Sequence, residues 1–82
     1  MVHNNLGVIY LAQKNYALAE SAFQAELAVN PNYDKALFNL GDLYYQEKKT
    51  DLAAQFWAAA LQVNPGYYEA YSRLLNLQNR LR

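Results

Sequence analysis

The sequence predicts an all-α chain built from helix–turn–helix repeats, and three observations lead there. Apolar residues recur at helical spacing: Ala19, Phe23 and Leu27 fall at i, i+4 and i+8, and Ala53, Trp57 and Leu61 do the same. The pentapeptide "VNPNY" at 29–33 returns as "VNPGY" at 63–67, an offset of 34 (63 − 29). At that offset Asn5, Leu6, Gly7 and Tyr10 fall on Asn39, Leu40, Gly41 and Tyr44, and Ala25, Leu27, Val29, Asn30, Pro31 and Tyr33 also meet their own kind. Phe23 meets Trp57, which keeps a large aromatic. A fixed period of this size is the signature of a repeat architecture.

Each element follows from local signals. Helices are expected at 2–13, 16–29, 33–47, 51–63 and 67–81. Pro31 and Pro65 lack an N–H and disfavour the helical state of the preceding residue, so the second and fourth helices end near Asn30 and Asn64. Asn15 and Thr50 are the expected N-caps of those two helices. Asp34 and Glu69 fall in the first turns of the third and fifth helices, where a negative charge suits the helix dipole. Short connections make neighbouring helices antiparallel, so each period is a hairpin. Gly7 and Gly41 lie inside helices, where Gly costs roughly 0.5–1 kcal/mol against Ala. Their recurrence predicts close helix approach, with Ala19 and Ala53 as the small partners opposite. The segment "YYEAYSRLLNLQNRLR" at 67–82 continues the period as one extra helix, on which Leu74 and Leu75 are expected to bury. Asn76, Asn79, Arg80 and Arg82 give it a wetter outer side, as a terminal cap requires. The expected organisation is a single domain over 1–82, with repeats at 1–33 and 34–67 and a capping helix at 68–82.

Composition narrows the function. The 82 residues contain no Cys, so neither a disulfide nor a thiolate metal site is available. Lys plus Arg and Asp plus Glu number seven each, and a zero net charge argues against a broad grip on nucleic acid or an anionic membrane. Apolar runs fall far short of the ~20 residues of a membrane span, and "VHNN" after Met1 is not a signal peptide. A soluble, cytoplasmic chain is expected. His3, the one histidine, has no second ligand at i+4. Ser21 and Ser72 have no partners for a nucleophilic triad, and neither Gly7 nor Gly41 belongs to a phosphate-cradling loop. Asp42 and Glu47 read as solvated helix faces. The reading is therefore not an enzyme, with no cofactor and no metal. Tyr10, Phe23, Tyr44 and Trp57 read as core.

With "NLG" at 5–7 and 39–41, Tyr10 and Tyr44, Ala19 and Ala53, Phe23 and Trp57, and Pro31 and Pro65, the chain resembles the tetratricopeptide repeat family over essentially its whole length. The resemblance implies a right-handed α-solenoid fragment that acts as a protein-interaction scaffold. The sequence departs from the family pattern at three places. His3 stands where Trp or Leu is usual, Lys14 and Lys48 stand at the turn Gly, and Glu26 replaces a late small residue.

In this family the first helices of successive repeats line a concave groove for extended peptide. Carried over by register, the first helix supplies Asn4, Asn5, Val8, Leu11 and Ala12. The third supplies Lys35, Phe38, Asn39, Asp42, Tyr45 and Gln46, and the fifth Glu69, Ser72, Arg73, Asn76, Asn79 and Arg80. Asn5, Asn39 and Arg73 form a ladder 34 apart, and an Asn both donates and accepts toward a peptide backbone. Phe38 and Tyr45 offer apolar anchors, and Lys35, Arg73 and Arg80 make one side of the groove locally positive. An extended acidic or C-terminal peptide is the expected ligand. A branch of the family clamps heat-shock-protein tails with Lys, Asn, Asn, Lys and Arg. The matching positions here are Asn4, Val8, Asn39, Glu69 and Arg73, of which only Asn39 and Arg73 agree. The expected partner is a protein or peptide, not nucleic acid or membrane. The alternative is weak self-association through an exposed N-terminal edge of Val2, Leu6 and Ile9.

Overall fold

The computed structural model describes residues 2–80, with side chains from Asn4 onward. Val2, His3 and Arg82, which entered the sequence reading, lie outside the described side chains. Five helices follow one another: α1 (Val2–Ala12), α2 (Tyr16–Val29), α3 (Asp34–Gln46), α4 (Thr50–Val63) and α5 (Tyr68–Arg80). No strand occurs among the described residues. The helices α1 and α2 form one hairpin, α3 and α4 a second, α2 packs on α3, and α5 packs on α4.

The turn inside each hairpin is closed the same way. In the first, Lys14 N–H donates to the Leu11 carbonyl at 2.9 Å and Asn15 N–H to the Tyr10 carbonyl at 2.8 Å. In the second, Lys48 donates to Tyr45 at 3.0 Å and Lys49 to Tyr44 at 2.8 Å. This pair of bonds is the Schellman motif, which consumes the orphan carbonyls at a helix end and needs a left-handed residue. That residue is Lys14 (φ 62°) in one turn and Lys48 (φ 65°) in the other. Because Lys49 already closes this motif, it is the N-cap of α4, and Thr50 is the first helical residue rather than the expected cap. Asn15 does hold the N-cap position of α2, but its side chain makes no capping bond.

The repeated pentapeptide is the turn between hairpins. Tyr33 N–H donates to the Asn30 carbonyl at 3.1 Å, and Tyr67 N–H to the Asn64 carbonyl at 3.0 Å. Each is a four-residue turn with Pro at its second position, where the fixed φ of proline is already correct. Asn64 braces the second turn twice: its Oδ1 accepts from Gly66 N–H at 3.2 Å, and its Nδ2 donates to Asp34 Oδ2 at 2.9 Å.

Inside each hairpin an aromatic ring lies against a glycine. A Cβ on Gly41 would come within 2.5 Å of the Trp57 Nε1 and 3.0 Å of its Cγ. A Cβ on Gly7 would come within 2.6 Å of the Phe23 Cδ1. The expected close approach is present, and the first atoms a Cβ on either glycine would meet are those of the ring. Those two alanines are fully buried in the same core. Phe23, Leu37, Phe38, Leu40, Leu43, Tyr44 and Trp57 are buried with them, and Tyr10 packs partly buried against this core. On α5 the buried leucine is Leu77, with Leu74 packed partly against the core, whereas Leu75 is 43% exposed and does not contribute the burial expected of it.

The left-handed lysines generate a testable consequence. A side chain in this region costs roughly 1–2 kcal/mol, and glycine removes that cost while loosening the unfolded chain by about 0.5–1 kcal/mol. Lys48→Gly should therefore raise the urea midpoint, by a net of up to about 1 kcal/mol. A lowered midpoint would contradict the assignment of strain to this turn.

Candidate functional site

The first helices α1, α3 and α5 carry the residues carried over as a groove, and the structure places them in three different situations. Asn5, Val8 and Lys35 are exposed. Leu11 is half-buried against the core, and Phe38 is buried at 6% exposure. Phe38 is therefore a core residue and not the free anchor expected of it. The Tyr67 ring stacks on it at 5.0 Å, and the Arg73 guanidinium lies over it at 5.2 Å. Tyr67 comes from the turn before α5, so this cover is invisible in the spacing of α3 alone.

The polar residues are tied to one another. Asn39 Nδ2 donates to Oδ1 of Asn4, itself buried, at 3.0 Å. Arg73 Nε donates to Asp42 Oδ1 at 2.9 Å, and its Nη2 reaches Oδ2 at 3.4 Å. This forked pair places guanidinium and carboxylate in their preferred geometry. The hydrogen bond with Asp42 raises the pKa of Arg73 above its already high ordinary value. Arg73 is thus held by a carboxylate and a ring. Glu69 is exposed and close enough to add to that charge.

A second connection joins α3 and α5 farther along. Arg80 Nη1 donates to the Tyr45 hydroxyl at 2.7 Å. Between the Asp42–Arg73 connection and the Tyr45–Arg80 connection lies a cavity of about 630 Å³. Asn76, Leu77 and Asn79 from α5 line it together with Tyr45, Arg73 and Arg80, and Trp57 reaches it from α4. The Tyr45 and Trp57 rings meet at 5.6 Å with a 42° tilt. The Trp57 Nε1 is buried against Gly41 and has no hydrogen-bond partner among the described residues. Of the expected groove residues, Tyr45, Arg73 and Asn76 thus gather at one cavity, whereas Asn5, Val8 and Lys35 stand apart from it. Asn79 and Arg80 join them, and Trp57, which reads as core, is also a wall. That double role was legible only as Trp57 being large and central.

Among the described residues no group of three His, Cys, Asp or Glu gathers that could hold a metal ion. No described helix is long and apolar enough to cross a membrane.

Two phenols, Tyr44 buried and Tyr67 partly buried, couple the inter-helix contacts to pH. The Tyr44 hydroxyl donates to the Glu20 carboxylate at 2.5 Å, joining α3 to α2. Burial first, then that bond and the charge of Glu20, push its pKa up to about 12. Tyr67 is pushed up to about 12 by burial first, and then by the charges of Glu69, Asp34 and Asp42. The folded chain therefore holds two protons that an unfolded chain releases near pH 10. Their contribution to stability is complete below about pH 10 and is lost as pH climbs through 12. Alkaline titration should show Tyr44 and Tyr67 ionising above pH 10, together with loss of helical circular dichroism. Ionisation of both before any helix is lost would contradict this.

Comparison with known proteins agrees with this architecture. A family model described as the tetratricopeptide repeat matches residues 4–74. A solved structure, the first TPR of Spaghetti (RPAP3) bound to the HSP90 peptide SRMEEVD, is similar over 96% of this chain, with 26% identity and a TM-score of 0.88. The similarity takes in 63% of that chain, so this chain spans less than two thirds of its length. A search of curated proteins found no match.

Proposed function

This chain belongs to the tetratricopeptide repeat family, and on that premise we propose that it is a protein-interaction scaffold that receives an extended peptide along the face shared by α1, α3 and α5. The observation that carries the reading is the cavity between α3 and α5, rimmed by Tyr45, Arg73, Asn76 and Arg80. Peptide passing over it would meet Asn5 and Val8 toward α1 and Lys35 toward the start of α3, all of them exposed. Asn39, Asp42 and Arg73 form the polar floor between those ends, Asn39 already bonded to Asn4 and Asp42 to Arg73. Leu11 and Phe38 support that floor from below. No catalytic step belongs to this reading, and its partner is a protein or peptide.

The similar RPAP3 domain binds an HSP90 peptide that carries three acidic residues, two Glu and one Asp. An acidic peptide suits this chain too, because Lys35 and Arg80 have no carboxylate partner among the described residues. The same heat-shock tail does not suit it. Val8 and Glu69 stand at two of the five clamp positions, and Glu69 brings a negative charge where the tail's carboxylates would lie. The test is chemical-shift mapping with a pool of acidic seven-residue peptides. Micromolar-range affinity is expected for a short peptide that must be ordered on binding. Shifts should fall on Asn5, Val8, Lys35, Tyr45 and Asn76. Shifts confined to the second helices, around Gln24 and Gln55, would contradict the groove reading.

A second reading, self-association through the repeat edges, has its own observation. Leu6 and Ile9 on α1 are 41% and 53% exposed, whereas Leu40 and Leu43, one period later, are 1% and 0% exposed. The later pair is buried where α3 receives the preceding hairpin, so the earlier pair presents the same docking surface uncovered. On the far edge Tyr71 and Leu75 of α5 are also exposed. A solution mass that rises with concentration, and falls back with Ile9→Lys, would support this reading over the first.

A further inference from the structure

We propose that the cavity between α3 and α5 is a subsite for one acidic side chain, Asp or Glu, of the bound peptide, and that Arg80 is the cation that receives it. This rests on the groove reading and names the chemistry within it.

The argument starts from the two connections that frame the cavity. One is internally neutral: Arg73 faces Asp42 at 2.9 Å, and a guanidinium and a carboxylate cancel. The other is not. Arg80 spends one of its five N–H donors on the Tyr45 hydroxyl, a neutral group. No carboxylate among the described residues pairs with Arg80. Among the described residues, then, this end of the cavity keeps an unmatched positive charge. Tyr45 strengthens it: a phenol oxygen that accepts from Arg80 still has its own proton to give.

The neighbours on α5 add donors. Asn76 precedes Arg80 by four residues, placing it on the same helix face one turn away, and Asn79 is adjacent. Both are exposed and neither amide has a hydrogen-bond partner among the described residues. An incoming lysine or arginine would meet Arg80 head on. A neutral amide would leave its charge unmatched. A carboxylate satisfies it, with hydrogen bonds roughly twice as strong as neutral ones. Beneath this rim Leu77 and the rings of Tyr45 and Trp57 are apolar and suit the methylenes of the same side chain. Arg73 and the Arg80–Tyr45 pair both border the cavity, so on this proposal the peptide backbone passes over these side chains and one side chain enters between them.

Trp57 is the only tryptophan, and although it is 1% exposed it borders this cavity, so a change in its fluorescence on adding peptide is the expected sign of occupancy. The probe is a library of acetylated, amidated heptapeptides, in which every carboxylate belongs to a side chain. The tightest binders should contain an acidic residue whose change to Gln or Asn weakens binding about ten-fold or more, the usual size of a hydrogen bond to a charged group. Arg80→Gln should weaken the acidic peptide by the same factor and leave the neutral peptide unaffected. Arg80→Lys should restore part of the loss. Circular dichroism checks that each variant is folded, which an exposed position near the end of α5 permits. Equal losses for acidic and neutral peptides would overturn the subsite. Binding that requires a free C-terminus would overturn it too, because the carboxylate would then be terminal. If peptides shift the groove resonances without this coupling, the subsite fails and the groove reading stands. If no peptide shifts them, both fail.

Discussion

Trp57 and Gly41 meet with no side chain between them, and much of the rest is arranged around that contact. The indole is 1% exposed, and a methyl group on the glycine would overlap it. Because α3 gives up a Cβ there, α4 comes close enough for the ring to reach across the hairpin. From that position it does three things at once. It fills the second hairpin's core, it meets the Tyr45 ring, and it walls the cavity between α3 and α5. Gly7 and Phe23 repeat the arrangement one period earlier, which is why the period is written in glycine and aromatic residues as much as in leucines. A helix-interior glycine costs roughly 0.5–1 kcal/mol in propensity. Closer packing of the largest side chain in the protein more than offsets it, since a fully buried large side chain contributes at least about 1.5–3 kcal/mol.

The face that would meet a partner is shaped by how much of its own polarity it consumes. Asn39 is bonded to Asn4, and Arg73 to Asp42. These bonds fix the spacing of α1, α3 and α5 without drawing on helix packing, and they leave little charge on the middle of the face. What remains unspent lies toward the ends: Lys35 at the start of α3, and Arg80 with two amides at the end of α5. On the proposed reading, a surface organised this way would recognise by position, because its fixed polar floor offers few donors and its free ones are far apart.

Much of this was legible in the sequence. Pro31 and Pro65 mark the turns, and the i, i+4, i+8 stripes mark the buried faces, so helix limits follow within a residue or two. The need for close approach at Gly7 and Gly41 was legible as well, but the part played by the rings was not. Side chains lean toward the N-terminus of their own helix, so each ring covers a spot nearer the turn than its Cα, which counting along the chain does not show. Phe38 misled for another reason: its cover, Tyr67 and Arg73, comes from beyond α4 and leaves no mark on the periodicity of α3. The cavity was half legible. Register brought Tyr45, Arg73, Asn76, Asn79 and Arg80 onto first helices, but which cation is neutralised depends on the Asp42 and Tyr45 contacts, which only three-dimensional geometry reveals.

The central claim, that ring-on-glycine contact holds the hairpin together, is tested most directly by a double-mutant cycle between Gly41→Ala and Trp57→Leu, followed by urea unfolding with circular dichroism. Against the intact indole, the alanine methyl is an overpacked atom and should destabilise by about 1–3 kcal/mol in spite of its better helix propensity. In the Trp57→Leu background the indole is gone and the space is open, so the same change should be neutral or stabilising by up to ~1 kcal/mol. A Gly41→Ala effect of the same size and sign in both backgrounds would mean the two residues do not interact, and would contradict the account.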